Sequence, residues 1–183
     1  MRGFAFDFAL LAAVYALVYA LRLRRREARY RVWFTLFYVY VSLVLAVTLM
    51  PFQIPLPAEH GLSLEELNLE PFRDVKRGYL GAVRGVVLNG VMFLPMGFLP
   101  PTLRPRGFLR TVLAGFLASL AIESVQLLYC LGPELNRRIF DVTDLIMNTA
   151  GAAAGYALFR LARPVIALFD PAVPIKQKRK RTA

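Results

Sequence analysis

Glu123, Asp141 and Asp144 are carboxylates set in stretches that are otherwise apolar enough to cross a bilayer, and Asn89, Gln126 and Asn148 are amides in the same setting. Such groups are costly in lipid, so they turn toward other helices or a wet cavity and often mark function. Ser119, Glu123, Gln126 and Cys130 recur at helical spacing and share one face. Asp141, Asp144, Asn148, Gly151 and Gly155 do the same on the next apolar run, just after Arg137 and Arg138. Three chemistries suit these types. In the first, the set binds a polar headgroup, with Arg137 or Arg138 on phosphate, which guanidinium geometry favours. In the second, Glu123, Asp141 and Asp144 are the catalytic carboxylates. They hold a divalent cation, and Asn89, Gln126 and Asn148 complete an oxygen-rich shell suited to Mg²⁺ or Ca²⁺. In the third, a protonatable Glu123 couples to substrate movement. Taken singly, each residue serves equally well as a hydrogen bond between helices, worth about 0.6 kcal/mol. Asp141 alone serves as the N-cap of a helix. Taken together, three carboxylates are more negative charge than packing needs. Gly151 and Gly155 read as a close-approach pair with no chemical role.

The elements that must position these residues are membrane helices. The chain has 183 residues, 57% hydrophobic and 19% charged, with a net charge of +11. Its mean hydropathy is +0.51. A soluble domain of this size carries roughly a quarter charged residues. One Cys and one His exclude a disulfide framework, a Cys-based zinc site and mechanisms that need two histidines. Runs near the ~20 residues that span a bilayer recur five times. They cover residues 4–21, 32–50, 85–103, 111–131 and 140–161. The third is interrupted by Pro95, Gly97, Pro100 and Pro101. Residues 164–174 form a short, Pro-broken stretch expected at the surface. The first run carries Asp7 and is followed by four arginines, so it reads as a retained span rather than a cleaved signal. Residues 63–66 have capping-box spacing, which suits a short helix in the loop between the second and third spans.

Charge alternates along the connections. One set (22–31, 104–110 and the segment from Arg160) carries 16 basic residues, and the other set carries 7. The positive-inside rule then places the N-terminus outside and the C-terminus inside. The fourth span runs outward and the third and fifth run inward. Asn89, Glu123, Gln126, Asp141, Asp144 and Asn148 therefore share the outer half, within roughly 12 Å of the interface. Arg138 lies just above them, and Asp144 is its expected partner. The basic tail, residues 176–181, is expected on anionic lipid of the inner leaflet.

These residues resemble the VanZ-like family of small bacterial membrane proteins. Asn89 followed by Phe93-Leu-Pro95-Met-Gly97-Phe98 resembles the family's Asn…Phe-x-Pro-x-Gly-Phe segment. Ser119, Glu123 and Gln126 match its Ser-x-x-x-Glu-x-x-Gln helix. Arg138, Asp141, Asp144, Asn148 and Gly151 match its Arg-x-x-Asp-x-x-Asp-x-x-x-Asn-x-x-Gly signature. Asn68-Leu-Glu-Pro71-Phe72 resembles a weaker segment in the outer loop. The resemblance covers roughly residues 36–160 and leaves the first span and the basic tail outside. The namesake of the family is associated with low-level resistance to the glycopeptide teicoplanin, which implies a location and a phenotype class rather than a reaction.

The expected protein is therefore all-α, a five-span helix bundle of a bacterial plasma membrane. It comprises a first span with its basic link (1–31), a VanZ-like domain (32–163) and a basic tail (164–183). Its ligand-binding set is Asn89, Glu123, Gln126, Arg138, Asp141, Asp144 and Asn148. The expected partners are membrane lipids, with a lipid-linked cell-wall intermediate or a glycopeptide antibiotic as ligand and no nucleic acid. The binding and enzymatic readings both stay open. Five spans without repeats disfavour a transporter.

Overall fold

The computed structural model describes residues 3–52, 67–129 and 140–170. Five helical segments in it are long and apolar enough to cross a membrane. The elements are α1 (Phe4–Leu21), α2 (Ala28–Thr48), β1 (Leu67–Asn68), α3 (Arg73–Lys76), α4 (Ala82–Phe98), α5 (Pro100–Leu103), α6 (Phe108–Tyr129), β2 (Phe140–Asp141) and α7 (Val142–Phe169). The spans are α1, α2, α4 with α5, α6 and α7. The all-α bundle expected from the apolar runs is the architecture found.

The packing centres on α4, α6 and α7. Along α4 and α7, higher-numbered residues meet higher-numbered residues, so the two helices run parallel. Their approach is backbone on backbone. A Cβ on Gly155 would overlap the Leu94 carbonyl oxygen, one on Gly151 the Gly90 carbonyl oxygen, and one on Gly97 the Ala152 carbonyl oxygen. Only glycine permits this distance, which is how small residues drive association where lipid removes the hydrophobic driving force. Against α7, α6 is antiparallel: Ser119 meets Asn148, and Gly115 meets Ala152. Val44, Leu49, Phe93, Ile122 and Tyr129 fill the space between α2, α4 and α6. Pro95 lies inside α4. It removes the donor that the Val91 carbonyl would have met, yet the helix continues to Phe98.

The α1–α2 pair is built differently. Long side chains join it: Tyr15 and Thr35 share a hydroxyl hydrogen bond of 2.6 Å, and the Tyr38 hydroxyl donates to the Leu11 carbonyl at 2.7 Å. Asp7, only 1% exposed, accepts from the Phe52 amide at 2.9 Å. That bond ties the start of α1 to the end of α2.

One sequence expectation is corrected. The fifth span does not stop near residue 161, and residues 164–169 are not a separate surface stretch. Helix α7 runs on through Pro164 to Phe169. One proline removes one donor, and the helix carries on past it. Beyond it, Asp170 is anchored to α2 by Trp33 Nε1 at 3.0 Å and by Arg29 at 3.4 Å. The structure also adds a two-residue parallel pairing, Leu67 with Phe140 and Asn68 with Asp141, which no periodicity could announce. The capping spacing at residues 63–66 lies outside the described residues.

Candidate functional site

The site is assembled where β1 and β2 pair beside the first turn of α7. Asp141 is the N-cap of that helix, with extended backbone, and its Oδ1 accepts the Thr143 amide at 2.7 Å. Its Oδ2 accepts Asn68 Nδ2 at 2.9 Å. Its own amide donates to Glu123 Oε2 at 3.0 Å. Asp141 thus fulfils the capping role and also joins three elements. Glu123, 2% exposed, is committed to that backbone donor from within α6.

One turn into α7, Asp144 Oδ1 accepts a hydrogen bond from Asn89 Nδ2 of α4. Between these two sets lies a pocket of about 240 Å³, bordered by Asn89, Asp141, Thr143, Asp144, Phe72 and Asp74 among others. Phe72 is held at φ 59, in the left-handed region that costs a bulky residue of order 1 kcal/mol. Its amide donates to Thr143 Oγ1 at 3.0 Å, which fixes the loop against α7. The turn that follows uses Gly78 and Gly81 at positive φ to lead the chain into α4. Outside the membrane segments, Lys76 Nζ lies 3.0 Å from Glu70 Oε1 and holds that exposed carboxyl below its ordinary range.

The expected site residues separate into three groups. Asn89, Asp141 and Asp144 border the pocket, and Glu123 stands behind it through the Asp141 amide. Asn148 sits deeper, donating to Ser119 Oγ at 2.9 Å. Gln126 turns toward α2, where its Nε2 donates to the Thr48 carbonyl at 3.1 Å. Arg137, Arg138 and Cys130 lie outside the described residues. Two contributors escaped the sequence reading of the site. Asn68 was visible only inside the weaker outer-loop segment, and Asp74 carried no spacing signal. For the divalent cation, three carboxylates would have to converge. Among the described residues no set of three His, Cys, Asp or Glu side chains is placed to hold an ion. The carboxylate oxygens there accept from amide N–H groups.

A family model, VanZ/LLP1, matches residues 37–163, which contain every residue of this arrangement. The chain belongs to the VanZ/LLP1 family. It is 31% identical over 97 residues to a protein of Enterococcus faecium named Protein VanZ, covering 52% of this chain and 53% of that relative. The match therefore spans about half the length of either protein. No solved structure matches the chain. Helix α1 lies before the VanZ/LLP1 match, whereas α4, α6, the two short strands and α7 as far as residue 163 lie within it.

Proposed function

We propose that this VanZ/LLP1 protein binds the polar headgroup of an envelope lipid or of a glycolipopeptide in the pocket at the start of α7, and so lowers susceptibility to teicoplanin-type antibiotics. The observation that carries the reading is the pocket's composition. Asp74, Asp141, Asp144 and Asn89 border it, and no cationic side chain does so among the described residues. Carboxylates only accept hydrogen bonds when ionised. The matching ligand is rich in donors, either an ammonium group or a cluster of sugar hydroxyls. The charge asymmetry of the connections supports an outward opening, toward the leaflet and solution where such headgroups are met. Family membership supports the antibiotic phenotype, because the namesake is associated with low-level teicoplanin resistance.

The test is binding to the purified full chain in detergent, with teicoplanin in one arm and phosphatidylethanolamine in the other. Asp144→Asn keeps shape and removes charge at the pocket wall. It should weaken binding in at least one arm by roughly tenfold, the scale of one charge-assisted hydrogen bond. Equal binding by wild type and Asp144→Asn in both arms would refute the reading.

A further inference from the structure

The opposite end of α6 and α7 carries a second cavity that the carboxylate pocket does not use. It has a volume of about 500 Å³ and is bordered by Arg106, Arg110, Arg160 and Arg163 over a floor that includes Tyr156 and Phe159. Counting 13 residues along α6 from Arg110 to Glu123, the two sites stand roughly 20 Å apart. We propose that this cavity binds the phosphate of an anionic phospholipid from the leaflet at that end of the bundle.

Four guanidiniums border one cavity, and no carboxylate does so among the described residues. None of the four is in an ion pair with a described carboxylate. Like charges gathered without a counter-charge repel one another, and an anion between them removes that repulsion. Guanidinium is also the group whose planar fork fits phosphate oxygens best. A basic pocket between membrane helices is the physical form of an anionic-headgroup site.

The cavity is built rather than incidental. The Tyr156 hydroxyl donates to the Arg106 carbonyl at 3.2 Å, so α7 holds the loop that carries Arg106. Thr111 closes the same loop through its Oγ1 on the Gly107 carbonyl at 3.1 Å. Tyr156 and Phe159 are buried, and Phe108 packs edge-on to Tyr156 with centroids 5.7 Å apart. The first turn of α6, whose N–H groups lack helical acceptors, forms part of the wall.

The surroundings choose a lipid over a soluble phosphate. Leu109 borders the cavity and is 77% exposed, and nearby Leu161 is 75% exposed. Those apolar side chains stand where acyl chains would leave a headgroup seated on the arginines.

The proposal stands independently of the carboxylate pocket. Native mass spectrometry of the detergent-purified full chain tests it, with phosphatidylglycerol, phosphatidylcholine or inorganic phosphate added. Wild type should retain phosphatidylglycerol in preference to phosphatidylcholine. Arg160→Gln with Arg163→Gln should reduce that retention by roughly tenfold, given the pull of each basic group on anionic lipid. The distant pair Arg22→Gln with Arg24→Gln should leave it nearly unchanged. Arg160→Lys with Arg163→Lys keeps charge and folding, and should retain part of the preference even if the glutamine pair does not fold. Equal retention of the two lipids by wild type would overturn the proposal, and so would equal loss from the distant pair. Saturable binding of inorganic phosphate that displaces the lipid fully would move the source to solution and overturn the lipid assignment.

Discussion

The α4–α6–α7 core and the α1–α2 pair solve the same problem in lipid by different means. In the core, glycines bring backbones into contact, and Asn89 of α4 meets Asp144 of α7 across the pair so joined. In the α1–α2 pair, tyrosine hydroxyls bridge helices that stand further apart, and most of the α1 surface faces outward. The helical walls of the pocket lie in the first kind of packing, inside the segment matched by the family model. Precise placement of polar groups needs elements whose separation cannot drift, and a glycine seam supplies that where a tyrosine bridge does not.

The sharpest way to break this contrast is Gly155→Val. The added side chain meets the Leu94 backbone, which cannot move aside as a flexible side chain would. Overpacking of this kind costs about 3 kcal/mol. Monodisperse folded protein should be largely lost on size-exclusion chromatography, while Gly85→Ala, with open space at its Cβ, should leave the yield unchanged.

Next in size is the bond from the Asp141 amide to Glu123. Glu123→Leu leaves a buried amide without its acceptor, a loss of about 2 kcal/mol. Glu123→Gln still offers an oxygen and should cost less than half as much. Thermal melting of the two variants separates the outcomes, and equal losses would mean that charge rather than the hydrogen bond matters there.

On the other side of the comparison, Tyr38→Phe removes one interhelical bond between α1 and α2. It should cost about 1 kcal/mol by the same melting assay and leave headgroup binding intact. A loss of binding would show that the α1–α2 pair positions the site after all. Smallest is the exposed Glu70–Lys76 pair. Glu70 is held below its ordinary range, so its contribution to stability is present at neutral pH and disappears as pH falls through that depressed value. In an NMR titration, Lys76→Ala should raise the Glu70 midpoint with almost no change in melting.

Much of this is legible in the sequence. Spans showed because about twenty apolar residues in a row have few other uses, and Asp141, Asp144 and Asn148 showed because lipid makes each an exception. The face shared by Ser119, Glu123 and Gln126 was legible too, since all three are buried. The direction of each side chain was not. Gln126 turns to α2 because the Thr48 carbonyl is in reach, and periodicity cannot know which neighbour stands at the rim of a face. The pairing of Asn68 with Asp141 joins segments about seventy residues apart through two residues, too few to leave a pattern. Helix α7 passes Pro164 because a single missing donor is a smaller loss than ending the helix.

The central claim is that the carboxylates at the start of α7 serve a ligand rather than only holding helices together. The most direct measurement is teicoplanin susceptibility of cells producing wild type or Asp144→Asn, normalised to the folded protein recovered from their membranes. Asp144→Asn should abolish the protective effect while its folded level stays close to wild type, because Asn89 can still hydrogen-bond an amide oxygen at that position. Protection that falls only in proportion to the amount of folded protein would contradict it.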